Sequence, residues 1–292
     1  GRIEVLTLWP LALGEIHGDE SNMVDMFFSP DFPHRFYSDV RFDLAAAMAA
    51  GGFPEPVQRS TAKRRQAWFE SYITTILERD IRGLAQIQGL AAVPRLLRLL
   101  AGRMATVHNQ SEISRSSGIP NSTLSRYMAL LKTTFLVQEL PAWSSNLGKR
   151  MVKSPKLCMV DTGLGCSLIN IDEDGLRQGG EIAGRVFENF VILELFKHAS
   201  WSDETVRLYH FRSQSGKEVD VVLEGGKGGI VGVEIKMSAT PSYKDFSGLK
   251  ILRDHLGEKF IRGVLVYTGK DIIPFGENLH AVPVHYLCKA PS

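Results

Sequence analysis

Two short stretches near the C-terminus alternate apolar and polar positions with a period of two. Every odd position from 219 to 223 and from 231 to 235 is Val, Leu or Ile, while Glu218, Asp220, Glu234 and Lys236 occupy even positions. A strand sends these two sets to opposite faces, so the pattern predicts strands over Lys217–Leu223 and Ile230–Lys236, one face core and the other chemistry. Gly225–Gly229 closes them into an antiparallel hairpin, and the registers that keep the apolar faces together have an even residue sum. The simplest pairs Asp220 with Glu234 and Glu218 with Lys236. Adjacent carboxylates repel, so one is protonated or a cation lies between them, and oxygen ligands beside an ammonium suit Mg²⁺ or Mn²⁺. Such a set fits a phosphodiester-cutting site. The competing reading is an amphipathic hairpin whose polar face carries only cross-strand ion pairs.

Upstream, Val186–Phe196 reads as a largely buried helix in which Val191 and Ile192 share the face of Glu188, a carboxylate that then needs a metal, a cation or hydrogen-bond donors. An opening strand is expected over Arg2–Leu8. Residues from Leu13 to about Leu100 read as mostly helical, broken by Ser29-Pro30, Phe32-Pro33 and Gly51–Pro56, with Lys63-Arg64-Arg65 leading into a helix through Trp68, Tyr72 and Ile76. From Val93 to Thr134 the pattern becomes a helix-turn-helix. Ser111–Ser117 is its first helix, Gly118-Ile119-Pro120 the turn, and Asn121 or Ser122 the cap of a second helix through Leu124, Tyr127, Leu130 and Leu131. Strands over Phe135–Leu140 and Lys156–Val160 flank the basic stretch Lys149–Lys153 and make this a winged helix. In DNA-binding versions the second helix enters the major groove and the basic loop grips phosphate. Thr123, Arg126, Lys149, Arg150 and Lys153 are the candidates for those contacts. A winged helix used only for packing is the alternative.

The 292 residues allow two or three domains, and a 44% hydrophobic content is ample for their cores. A net charge of +2 marks no general polyanion binder, so nucleic-acid contacts must come from local clusters. Cys158, Cys166 and Cys288 lack zinc spacing and read as reduced, buried thiols of a cytoplasmic protein, and His280 and His285 do not form a zinc motif. No apolar run reaches the length of a membrane span.

The order helix Glu188, strand Asp220, strand Glu234-x-Lys236 resembles the PD-(D/E)xK nuclease superfamily. The resemblance implies Glu188, Asp220 and Glu234 as ligands of Mg²⁺ or Mn²⁺, and Lys236, Glu234 and Asp220 as the catalytic set, with Glu218 a weaker candidate. The whole chain is similar to the predicted prokaryotic AAA+-like ATPases with a C-terminal domain of unknown function. The likeness rests on Leu8–Leu11, Gly51–Glu55, Leu77–Ile81, the helix-turn-helix with Tyr127, Asp161–Leu164, Phe187–Asn189 and the two strand motifs. It implies an α/β multidomain fold: the end of an AAA+ core and a helical-lid remnant over 1–92, a winged helix-turn-helix over 93–165, and an α/β/α PD-(D/E)xK-like domain over 166–292. No G-x-x-x-x-G-K-[ST] is present, and Gly263–Lys270 reads as strand and turn, so ATP is expected only in a longer parent whose nucleotide-binding half lies upstream. Arg79 could meet a nucleotide phosphate there, although an acid-paired structural role is the stronger reading. DNA is the expected partner, and a homo-oligomer is compatible with the resemblance. The rival from another class is a non-catalytic DNA-binding or regulatory module, or a protein-interaction adaptor, on a nuclease-like scaffold.

Overall fold

The computed structural model describes residues 6–33, 43–81, 92–146, 153–213 and 216–288. Most of the expected opening strand lies outside these residues. Its described part, Leu6–Leu8, forms no strand and both leucines are exposed: a strand persists only through a partner's hydrogen-bond ladder, which local alternation does not supply.

The N-terminal part is helical, as expected, in short pieces: α1 (Leu13–His17), α2 (Met23–Phe28), α3 (Leu44–Ala50), α4 (Pro54–Val57) and α5 (Ala62–Thr75), the last running into a π-helical turn over Ile76–Ile81. Polar caps set their starts. Asn22 accepts the Val24 and Asp25 N–H groups, Asp43 that of Ala46, and Thr61 that of Arg64, while Pro54 opens α4.

Next come α6 (Ala92–Ala101), β1 (Thr106–Val107), α7 (Gln110–Ser117), α8 (Asn121–Thr133), β2 (Val137–Leu140) and β3 (Lys156–Met159), whose strands pair antiparallel in the order β1–β3–β2. Gly118 ends α7 at φ 73°, the left-handed turn read from the sequence. The start of α8 differs from expectation: Pro120, extended at φ −56° and ψ 145°, occupies the cap position, and Asn121 is already helical. Phe135 takes φ 51°, which delays β2 to Val137.

The C-terminal part holds α9 (Thr162–Ile169), α10 (Glu173–Arg177), α11 (Gly180–Ser200) and a six-stranded mixed sheet. Its strands are β4 (Val206–Arg212), β5 (Glu218–Gly225), β6 (Ile230–Lys236), β7 (Phe260–Tyr267), β8 (Ile273–Gly276) and β9 (Leu279–Pro283), in the order β4–β5–β6–β7–β9–β8. Strand β7 runs parallel to β6 and β9; the other pairs are antiparallel. The helix α12 (Ser247–Leu256) crosses over from β6 to β7. Val221, Leu223, Val231 and Val233 pack in the core shared with α11, whereas Val222 and Ile230 pack with Leu249 and Leu252 of α12. The hairpin register is the expected one of even sum, with Val221 opposite Val233 and Leu223 opposite Val231. The expected division into a core face and a chemical face is corrected. Both faces are buried because α11 covers one and α12 the other, and the ionisable groups that remain buried lie at one end of the hairpin.

The three-stranded sheet is fastened to α11 by Asn189, fully buried, whose side-chain amide accepts the Met159 N–H at 2.9 Å and donates to the Met159 carbonyl at 3.0 Å. Replacing it by alanine orphans both backbone groups. Asn189→Ala is therefore expected to cost roughly 2–4 kcal/mol in a urea melt, and a loss below about 0.5 kcal/mol would show that the amide is dispensable.

Candidate functional site: a carboxylate–lysine cluster

The polar end of the hairpin is shaped by a bulge. Tyr209 pairs with Val222 but Phe211 with Val219, so Asp220 and Val221 share one partner position, His210. The backbone of His210 bonds to Pro141 and Trp143, and its ring Nε2 meets the Ser154 carbonyl at 3.0 Å, which clamps both ends of the β2–β3 connection to β4. That clamp delivers Lys156, at the start of β3, to the bulge.

Lys156 Nζ donates to Glu188 Oε1 on α11 at 2.6 Å and to Asp220 Oδ1 at 2.8 Å. The Ile235 N–H donates to Asp220 Oδ2 at 2.9 Å, a bond that replaces the ladder and parts β5 from β6 beyond Val221 and Val233. Lys236 Nζ lies 3.2 Å from Glu234 Oε1, while Glu234 Oε2 is buried without a hydrogen-bond partner among the described residues. The sequence-predicted Glu188, Asp220, Glu234 and Lys236 are thus brought to one place. Glu218 is not. It is exposed and paired with Arg212 on β4 at 3.3 Å, and its expected position across from Lys236 fails because the strands have already parted.

The acids of the cluster ionise unequally. Burial opposes charge on Asp220, yet Lys156 and the Ile235 N–H outweigh it and its pKa falls. Glu188 is pushed up to about 7, first by burial and then by the Asp220 charge. Burial and Asp220 push Glu234 up to about 8 against the pull of Lys236. Burial also opposes charge on Lys156, but Asp220 and Glu188 overcome it and raise its pKa. Lys156 went unrecognised in the sequence as a member of this site. Its signal was there: a lysine inside a strand buried at every position must have an acidic partner.

The groove-binding candidates lie elsewhere. Arg126 is exposed on α8, opposite the Leu124, Tyr127 and Leu131 face that packs inward; Thr123 is half-buried, Lys153 is exposed, and Lys149 and Arg150 lie outside the described residues. Among the described residues no three His, Cys, Asp or Glu side chains are arranged to hold a metal ion. The three cysteines are free and buried, and Gly263–Lys270 is the end of β7 and a turn, as expected.

Three of the short motifs meet in a second place. Leu11 N–H donates to the Gly52 carbonyl at 2.8 Å, Gly52 N–H to Asp161 Oδ2 at 2.6 Å, and Lys197 Nζ to the Leu11 carbonyl at 2.9 Å and Glu194 Oε1 at 2.7 Å. A Cβ on Gly51, at φ 70°, would collide with the Asp161 carboxylate. These groups line a cavity of about 280 Å³ and tie the N-terminal segment to α11.

Residues 41–175 match the domain of unknown function DUF8612, and residues 183–287 match the domain of unknown function DUF4143. Uncharacterized proteins of Mycobacterium tuberculosis and Mycobacterium bovis are each 31% identical to this chain over 243 residues, covering 83% of it and 53% of their own length. The chain therefore spans about half the length of the curated relatives it matches. No solved structure matches.

The raised pKa of Glu234 has a stability consequence of definite sign. A carboxyl whose folded pKa exceeds its unfolded value stabilises the fold below the unfolded pKa, near 4.5, and loses that contribution as pH rises through about 8. Glu234→Gln keeps the shape without the charge. Its unfolding free energy should match wild type near pH 4.5 and exceed it increasingly up to pH 8, by a few kcal/mol at most given about 1.4 kcal/mol per pKa unit. A difference that does not change with pH would mean Glu234 ionises normally.

Proposed function

We propose that this chain is a DNA-binding regulatory module whose α/β part uses a nuclease-like scaffold without cutting, within a longer AAA+-like ATPase. Support for the DNA-binding part comes from the order α6–β1–α7–α8–β2–β3 and the sheet order β1–β3–β2, which is the plan of a winged helix with α8 in the groove-reading position. Arg126 is exposed on that helix, and Lys153 lies exposed near the end of the β2–β3 connection, where a wing would grip phosphate. The scaffold reading rests on α11 and α12 covering opposite faces of the mixed sheet, with Glu188, Asp220, Glu234 and Lys236 gathered at one end, as in the PD-(D/E)xK plan. ATP belongs, in this proposal, to a nucleotide-binding half outside this chain.

The observation that favours a silent scaffold is the position of Lys156. A hard divalent ion needs several carboxylate or carbonyl oxygens around it. Here Glu188 Oε1 and Asp220 Oδ1 hold an ammonium, Asp220 Oδ2 holds a backbone N–H, and Glu234 Oε1 holds Lys236. Mg²⁺ or Mn²⁺ does not fit the cluster so arranged, and no chemical step is derived through one. One observation favours the cutting alternative: the buried Glu234 Oε2, without a hydrogen-bond partner among the described residues, beside two other acids.

Duplex DNA titrated with this chain at graded salt should bind with an affinity that falls as salt rises, and Arg126→Ala should weaken binding about tenfold or more, the scale of one lost base or phosphate contact. No salt-dependent binding, or no effect of Arg126→Ala, would remove the DNA reading. With Mn²⁺ added the DNA should remain intact, and no melting shift should follow from the ion. Cleavage abolished by Asp220→Asn would instead establish the nuclease and overturn the silent scaffold.

A further inference from the structure

A cleft of about 570 Å³ opens between α6, β1, the start of α7 and α11. Its charged lining is three guanidiniums, those of Arg98, Arg103 and Arg185, against the single carboxylate of Glu112. The arginines come from separate elements and are held differently. Arg103 is fixed by Glu112 Oε1 at 2.7 Å and Ser116 Oγ at 3.1 Å. Arg185 is fixed by the Gly102 carbonyl at 2.9 Å and by Glu181 Oε1 at 2.5 Å. The Arg98 side chain is exposed and makes neither a hydrogen bond nor an ion pair among the described residues, while its backbone carbonyl accepts the Gly102 N–H. His108, at the back of the cleft, has an enclosed Nδ1 with no partner, and burial lowers its pKa, so the ring is neutral near pH 7 and offers one N–H in one tautomer.

Two guanidiniums already ordered by their partners lose little side-chain freedom on meeting a ligand, and each keeps N–H donors that its present bonds do not use. Planar forks converging from different directions match the oxygens of a tetrahedral oxyanion better than a single planar carboxylate. The first turn of α7, whose backbone N–H groups carry partial positive charge, opens onto the same cleft. We propose that this cleft is a phosphate-binding site joining the helix-turn-helix region to α11. The inference does not depend on DNA being the ligand, because the shared chemistry is the phosphoryl oxyanion, carried either by a nucleic-acid backbone or by a small phosphate compound. Its placement has a structural meaning in both cases. Arg185 lies one turn before Glu188 on α11, and Leu157 in the cleft wall follows Lys156, so a bound phosphate would brace the two elements that carry the lysine and its acid.

The test is calorimetric titration of this chain with inorganic pyrophosphate, together with duplex DNA binding and competition between the two. Wild type is compared with Arg98→Gln, with Arg98→Gln/Arg185→Lys, and with Lys259→Gln as an exposed charge-loss control. The Arg98 side chain contributes no internal bond, and Lys at 185 can still reach the Gly102 carbonyl, so both variants should fold. Saturable pyrophosphate binding is expected, weakened at least tenfold in the double variant and unchanged in Lys259→Gln. If pyrophosphate also displaces DNA, and Arg98→Gln lowers the slope of log affinity against log salt by about one, the natural phosphate is a nucleic-acid backbone. Pyrophosphate binding that leaves DNA in place identifies a small phosphate compound. Absence of saturable binding, equal affinities in wild type and the double variant, or an equal loss in Lys259→Gln would each overturn the site.

Discussion

The structure depends on the burial of one helix, α11, on nearly every side. A helix in that position must find an internal partner for each polar side chain it carries, because an unmet buried group costs as much as several good contacts supply. Each partner found is another element secured. Glu188 takes Lys156 of β3, and Asn189 takes the backbone of Met159 at the other end of that strand. Glu194 accepts the Leu13 N–H at 2.8 Å, Lys197 reaches the Leu11 carbonyl, and His198 Nδ1 accepts the Met23 N–H at 3.0 Å. The polar residues of α11 thus fix the N-terminal helices and the three-stranded sheet as firmly as its apolar residues fix the mixed sheet.

The carboxylate cluster follows the same logic. Three acids share one end of a hairpin with two lysines, and the protein resolves the repulsion unequally: Asp220 keeps its charge against Lys156, while Glu188 and Glu234 hold protons more tightly than free carboxyls do. An ammonium supplied by the neighbouring sheet performs the neutralising role here. Because Lys156 belongs to β3, the charge state of the cluster is coupled to how the helix-turn-helix region is seated.

Much of this was legible in the sequence, and the failures have physical causes. Alternation around Asp220 and Glu234 set the hairpin register, and Gly118 marked the turn between α7 and α8, because both are local facts about side-chain period and backbone freedom. The meeting of Glu188 with Asp220, Glu234 and Lys236 was legible only in the order of the motifs, because Glu188 lies on α11 and reaches Asp220 through Lys156. The departure of Glu218 toward Arg212 and the entry of Lys156 arise from β4 and its bulge at His210, and the burial of both hairpin faces from α11 and α12, tertiary events with no local signature. The described end of the expected opening strand, Leu6–Leu8, forms no strand likewise, since pairing is a property of two segments and the alternation of Leu6 and Leu8 describes only one.

The ties of α1 and α2 to α11 and β7 also govern how this part of the protein is made. Arg262 on β7, buried without an acidic partner among the described residues and with its pKa pushed down by burial to about 10, donates to the Phe27 carbonyl across a separation of 235 residues and stacks over Phe32 at 4.0 Å. Leu13 meets Glu194 across 181 residues. On a ribosome α1 and α2 emerge well before α11 and β7 complete them, so Phe27 lacks its native cover until the chain 235 residues further on has been made. A nascent chain of this design needs either a holding chaperone or a transient local collapse, and synthesis halted before β7 leaves its first part as unfinished as its last.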